Sequence, residues 1–160
     1  MKSSITLLTL GLALSFTSFG YAGDNKVPYP EDYRNWTHVK SMIIEAGHPL
    51  DNPFQGIHHV YANKKALAGL NQGKYADGAV LVFDLLKVEK KDHTIQESSR
   101  KLVGVMHKDA RKYSATGGWG FEGFAASSKT ERLTSDGGTA CFGCHAPVAE
   151  SDYVFSQYRK

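Results

Sequence analysis

Apolar and polar positions repeat with a period of two over three stretches of the chain, the period of a half-buried strand, and two further stretches bring the expected count to four or five strands. Thr37 to Ile44 is β-branched and apolar, which favours an extended strand. Gln55 to Tyr61 places Ile57, His59 and Tyr61 on one side and His58 and Val60 on the other. Ala79 to Val88 is the strongest run. Val80, Val82, Asp84, Leu86 and Val88 alternate with Ala79, Leu81, Phe83, Leu85 and Lys87, so both sides are largely apolar and the strand is predicted to be central. Lys101 to His107 alternates again, and Trp119 to Ala125 follows the Gly117-Gly118 turn. The intervening Glu89 to Ser99 is charged and polar, and reads as a solvated hairpin connection.

Helical signals are short. Pro30 and the acidic pair Glu31-Asp32 suit the start of a helix through Trp36. Asn63 is placed to cap a helix through Leu70, with Ala66, Leu67 and Leu70 as its apolar stripe and Gly73 beyond its end. Ala149 to Tyr158 is predicted as a last short helix, with Tyr153, Val154 and Tyr158 inward. Residues 23 to 29 are unpatterned and predicted to be mobile. The fold class expected is mainly β (α+β): an antiparallel sheet of consecutive strands with a few short packed helices.

The N-terminus changes the compartment. Lys2, the apolar run from Ile5 to Phe19 and the small residues up to Ala22 have the form of a secretory signal peptide cut after Ala22. Residues 1–22 are then a leader and 23–160 a single domain, exported to the periplasm. An uncleaved membrane anchor is the competing reading, but the run is short for a span. Loss of Lys2 leaves 18 of the 19 basic residues against 16 acidic ones, a net charge of +2. So mild a charge speaks against nucleic acid or an anionic membrane as partner.

Both cysteines lie in Cys141-Phe142-Gly143-Cys144-His145. This is the spacing of covalent c-type haem attachment, with two thioethers from Cys141 and Cys144 and His145 as an axial iron ligand. A disulfide and half of a zinc site are the alternatives. There is no second cysteine pair to complete a zinc site, and no βαβ pattern of a thiol redox protein surrounds the motif. Candidates for a second axial ligand are Met42, Met106 and histidines 38, 48, 58, 59, 93 and 107. His58, His59 and His107 lie in predicted strands. A strand histidine is more often a hydrogen-bonded core or surface residue than a ligand, which favours a five-coordinate iron.

Several segments, in order, resemble the cytochrome P-460 family and within it the cytochrome c′-beta branch. They are Pro30-x-x-Tyr33-Arg34-x-Trp36, Pro53-Phe54 before Val60-Tyr61, Gly73-x-Tyr75-x-Asp77-Gly78-Ala79-Val80, Gly118-Trp119-x-Phe121, and the late haem motif. The resemblance implies a large antiparallel sheet, a homodimer, and one haem c with His145 as its proximal ligand. It also bears on function. The hydroxylamine-oxidising members cross-link a lysine to the haem, five residues after the glycine of the Asp-Gly turn. Counting from Gly78 gives Phe83. Lys87 has the same facing parity but lies about 13 Å further along a strand. Lys64, Lys65 and Lys74 belong to the preceding helix and turn.

Phe83 and Phe54 instead match the phenylalanines that cover the open haem face in the c′-beta branch. An apolar lid gives dioxygen no hydrogen bond, whereas nitric oxide and carbon monoxide need less polar help. The function expected is therefore an exported cytochrome that binds nitric oxide or carbon monoxide, for sensing, scavenging or transport, with electron transfer to a redox protein partner as a further role. The alternative is a hydroxylamine-oxidising enzyme, which needs a distal proton acceptor. Glu122 and Asp84 are the carboxylates nearest in sequence to that task; Ala140, before the motif, supplies none.

Overall fold

In a computed structural model of the chain, residues 26–159 are described. The predicted leader, its cut after Ala22 and the first residues of the mature chain lie outside them. Five strands form one antiparallel meander in the order β1-β2-β3-β4-β5: Thr37–Ile44, Gly56–Ala62, Val80–Lys91, Thr94–Lys108 and Trp119–Ala125. Every strand pairs with its sequence neighbours, as the alternation predicts. β3 is the central strand. Three short helices complete the architecture: α1 (Asp51–Phe54), α2 (Lys64–Gln72) and α3 (Thr139–His145).

Local chemistry sets α2 as expected. The Asn63 side chain accepts from the Ala66 N–H at 2.8 Å and also from Val80 N at 3.1 Å, so one residue caps the helix and ties it to β3. Gly73 ends the helix in the left-handed region at φ 74°.

The period-two pattern sorts side chains into two cores. The front of the sheet gathers Val60, Ala62, Leu81, Trp119 and Phe121 beneath α2 and the C-terminal segment. The back gathers Val27, Tyr33, Val82, Val103, Val105 and Phe124.

Four expectations change. The charged stretch 89–99 is mostly strand: β3 runs to Lys91 and β4 starts at Thr94, joined by Asp92 and His93 at φ 50° and 59°. This ribbon extends past both cores, so nothing selects apolar residues on either side of it. The helix expected from Pro30 shrinks to a 3₁₀ turn at Tyr33–Asn35, because Asp32 takes a left-handed conformation. The last helix also fails. A 3₁₀ segment, Ala146–Ser151, is stopped by Asp152 and Tyr153, both at positive φ. The mobile start fails from Lys26 onward. Val27 is buried, and its carbonyl accepts from Arg132 at 2.8 Å. No helix among the described residues is long and apolar enough to cross a membrane.

Candidate functional site

The front of the sheet carries a row of five cross-strand neighbours: Lys40, Val60, Phe83, Gly104 and Gly123. Two of the five have no side chain. At Gly104 a Cβ would meet only Phe83, at 3.4 Å and beyond, so a flat group can approach the backbone there. The space over Gly123 is taken by Leu133, 3.2 Å from where a Cβ would lie. The parallel row one step along holds Ala62, Leu81, Met106 and Phe121, about 7 Å away at strand rise.

The cysteine motif is docked on this face through Phe121. Asp136 accepts from the N–H groups of Gly138 and Ala140 at 2.9 and 2.8 Å, which starts α3, and these bonds lower its pKa. Gly138 has φ 86°, and a Cβ there would lie 2.7 Å from Phe121, so the helix start needs glycine both for its backbone angle and for contact. Phe121 then meets His145 at 5.0 Å and Phe142 at 6.3 Å between ring centroids. Cys141 is half-buried and Cys144 exposed, and neither forms a disulfide. Burial raises the Cys141 pKa and keeps it a thiol.

His145 is held in one orientation. Its Nδ1 lies 2.7 Å from the Tyr153 carbonyl, so Nδ1–H donates there and Nε2 is left to act as a metal ligand. Burial lowers the pKa of this imidazole, although the bond to Tyr153 opposes the shift, so the neutral ligating form is favoured. The Tyr153 carbonyl is fixed by the residue before it. Asp152 accepts from Lys108 Nζ at 2.7 Å and from Tyr75 N at 3.0 Å, while its backbone oxygen accepts from Trp119 Nε1 at 2.9 Å. Gly117 leaves room for the Tyr153 ring, since a Cβ at 117 would lie 2.3 Å from it.

Phe54 and Phe83 are brought together, edge to face with centroids 5.9 Å apart. Phe83 comes from β3 and Phe54 from the end of α1. The segment carrying Phe54 is tied down by Lys101, whose Nζ donates to the carbonyls of Pro53 and Gln55, both at 2.8 Å. Lys101 falls at an irregularity in the β3–β4 ladder, where Leu85 pairs with Leu102 but Leu86 pairs with Arg100. A third ring completes the group. His58 lies 4.4 Å from Phe83, is 4 % exposed, and has an Nδ1 with no hydrogen-bond partner. Burial, reinforced by the charges of Lys40 and His59, lowers its pKa to about 4, so it is neutral at pH 7.

The other sequence candidates fall elsewhere. Asp84 and Glu122 both point to the back. Asp84 is fully buried and accepts from Tyr33 OH at 2.8 Å and from Arg100 Nε at 2.6 Å. Glu122 is bound by Arg132 at 2.7 Å and by Thr134 and Gly123 N. Burial raises its pKa, but the bonds from Thr134 and Arg132 outweigh this and hold it low. Neither carboxylate is a distal proton acceptor, because strand parity turns each away from Phe83. His59 is also turned from that face. Its Nδ1 shares a 2.6 Å hydrogen bond with Ser41 Oγ, and its Nε2 lies 2.7 Å from Glu97 at ion-pair distance without hydrogen-bond alignment. His107 lies against Tyr113 on the back. His38, His48 and His93 are exposed, as are Lys64, Lys65, Lys74 and Lys87. Met42 is partly exposed opposite His58, and Met106 packs in the front core.

A cleft of about 620 Å³ adjoins this face, lined by residues 38–41 with Phe155, Gln157, Tyr158 and Arg159, so the exposed His38 lies at its edge. Phe155 connects it to His145, at 5.0 Å between centroids. A haem suits these features: two thiols and an imidazole with Nε2 available, open backbone at Gly104, a cationic cleft for carboxylates, and a buried imidazole without a partner. Sequence reasoning did not find Asp152 or Lys101, and no motif marks them. Asp136 was findable, since Asp-Gly-Gly-Thr has the composition of a turn into a helix cap.

A search of curated proteins returned no match. The family model described as Cytochrome P460 matches residues 30–156, a span that runs from the approach to β1 through α3 and the Asp152 clamp; the chain belongs to the cytochrome P460 family, and membership implies a haem group.

Proposed function

We propose that this is an exported c-type cytochrome with one covalently held haem, in which His145 is the proximal ligand and Phe54 and Phe83 cover the opposite side. In this reading, Cys141 and Cys144 form the thioethers. The bound haem supplies a ferrous or ferric centre for a small gaseous ligand, nitric oxide or carbon monoxide. The chain's residues do the rest. Tyr153 O and the Asp152 clamp orient the proximal imidazole. Phe54 and Phe83 restrict the size of what enters, and exclude water by their apolar area. Lys40 and Arg159 offer charge to the haem carboxylates. A homodimer and a redox protein partner belong to the same proposal.

The observation that carries this reading is Phe83. By the resemblance it stands where the hydroxylamine-oxidising members carry the cross-linking lysine, its ring meets Phe54, and Lys87, the β3 lysine of the same parity next along the strand, is exposed. An apolar, non-cross-linked lid supports gas binding over oxidation of hydroxylamine. One observation favours the second reading: His58 holds an unpartnered Nδ1 beside Phe83, where a proton acceptor would be needed, although burial lowers its basicity. Hydroxylamine oxidation with an artificial acceptor, together with a haem peptide joined at a third protein position, would establish it.

The test of the main reading is the optical spectrum of ferric, ferrous and carbon-monoxide-treated protein made with haem-attachment machinery. The expected result is a protein that stays red after denaturation, is five-coordinate when ferrous, and binds carbon monoxide without displacing a strong ligand. A six-coordinate low-spin spectrum in both oxidation states would overturn it in favour of plain electron transfer.

A further inference from the structure

Buried polar groups in folded proteins are almost always hydrogen-bonded, and an orphan calls for a partner that the chain does not supply. His58 is such a group. Its Nδ1 is buried without a partner, and it lies on the front of the sheet, across β2–β3 from Leu85 and diagonal to Phe83. Its ring lies at 32° to Phe83 with centroids 4.4 Å apart, a contact that fixes the side chain in place. His107 Nδ1 also lacks a partner but is on the other side of the sheet, against Tyr113. Among the described strand histidines, His59 has Ser41 and Glu97, so His58 is the one that is fixed, buried and unsatisfied beside the Phe54–Phe83 pair.

We infer that His58 is the hydrogen-bonding group of the ligand side of the pocket, contacting the diatomic molecule held there rather than the iron. This rests on the proposed haem pocket and deepens it: the lid is apolar on two sides and polar on the third. A small ligand that accepts a hydrogen bond is then favoured over one that does not, a discrimination that Phe54 and Phe83 alone cannot make. The imidazole is a specificity-determining residue in this assignment, since it touches the ligand and leaves the iron's coordination number unchanged. Stacking on Phe83 pre-orients it, so the hydrogen bond forms without ordering a loop.

The experiment uses the haem-loaded full chain and two variants, His58→Leu and His58→Gln, with carbon monoxide and nitric oxide as probes. Leu keeps the volume without a polar atom; Gln keeps a donor. The expected result is a higher carbon–oxygen stretching frequency for the ferrous carbon monoxide complex of His58→Leu, and nitric oxide loss about tenfold faster, the weight of one net hydrogen bond. His58→Gln should stay near the parent in both. Equal frequencies and rates in all three five-coordinate proteins would overturn the assignment while leaving the pocket intact. A parent that is low-spin and six-coordinate, becoming high-spin in His58→Leu, would make His58 an iron ligand and also overturn it. A chain that carries no covalent haem removes the pocket reading and this one together.

Discussion

Phe83 and Asp84 are consecutive residues of one strand, and the two sides of the sheet they serve are built on opposite rules. Behind the sheet every buried charge named above has been matched. Asp84 has Tyr33 and Arg100, and Glu122 has Arg132, Thr134 and a backbone N–H. Burial, then the bond to Asp84, even raises the Tyr33 phenol pKa, so this phenol keeps its proton at neutral pH. On the front the opposite holds: two glycines lie side by side, one cysteine is exposed, and His58 has an unpartnered nitrogen. The back pairs its carboxylates within the chain, although His107 Nδ1 there has no hydrogen-bond partner. The front leaves His58 Nδ1 unpartnered beside the Phe54–Phe83 pair and one cysteine exposed. The difference lies in the surroundings of the unpartnered nitrogen: Tyr113 behind the sheet, the two phenylalanines in front.

The contrast can be broken by substitution. Asp84→Ala leaves the Arg100 guanidinium half-buried without its carboxylate, and should cost about 3–5 kcal/mol in a urea unfolding series. The ligand-binding spectrum of the protein that still folds should be unchanged. A loss below about 1 kcal/mol would mean that the back is not the scaffold. Acid probes the front. The folded-state pKa of His58, about 4, lies below the ordinary value of 6.5. The unfolded chain therefore binds a proton first, and stability is lost as pH falls from 6.5 towards 4. The loss should be on the order of 3 kcal/mol. His58→Leu should remove that part of the pH dependence, with Lys40 and His59 left as the neighbouring charges. An unaltered acid profile would show that His58 is solvated. The smallest effect is expected at Lys101→Met, which releases the carbonyls of Pro53 and Gln55. Stability should fall by about 1 kcal/mol, and carbon monoxide association measured by flash photolysis should quicken as Phe54 gains freedom. No change in association would separate Lys101 from the lid.

The sheet was legible wherever one side of a strand is buried, because burial writes the period of two into the residues. It was illegible over 89–99, where strand pairing continues in solvent and neither side selects for apolar residues. The lost helices at 30–36 and 149–158 have a backbone cause. Asp32, Asp152 and Tyr153 adopt positive φ, and Asp152 is tied to Tyr75, Lys108 and Trp119, which propensity does not report. At the site, the spacing of Cys141, Cys144 and His145 singled out a haem motif, and the resemblance singled out Phe54 and Phe83, whose rings meet in the fold. His58 was one histidine among several until its partners could be counted. Lys101 depends on a one-residue irregularity in a ladder, and Asp152 on a fold-back of the last segment, neither of which leaves a pattern in sequence.

The meander has a consequence for the order of events in assembly. Each strand pairs with the one made just before it, so the ladders themselves take no hydrogen bond from the final twenty residues, which add Asp152 and Val154 to the front core. The strand pairing can therefore exist before α3 docks. Cys144 remains exposed even in the docked arrangement, which leaves its sulfur within reach of other proteins. A chain built this way can pair its strands first, and the last segment then closes the front core as a latch.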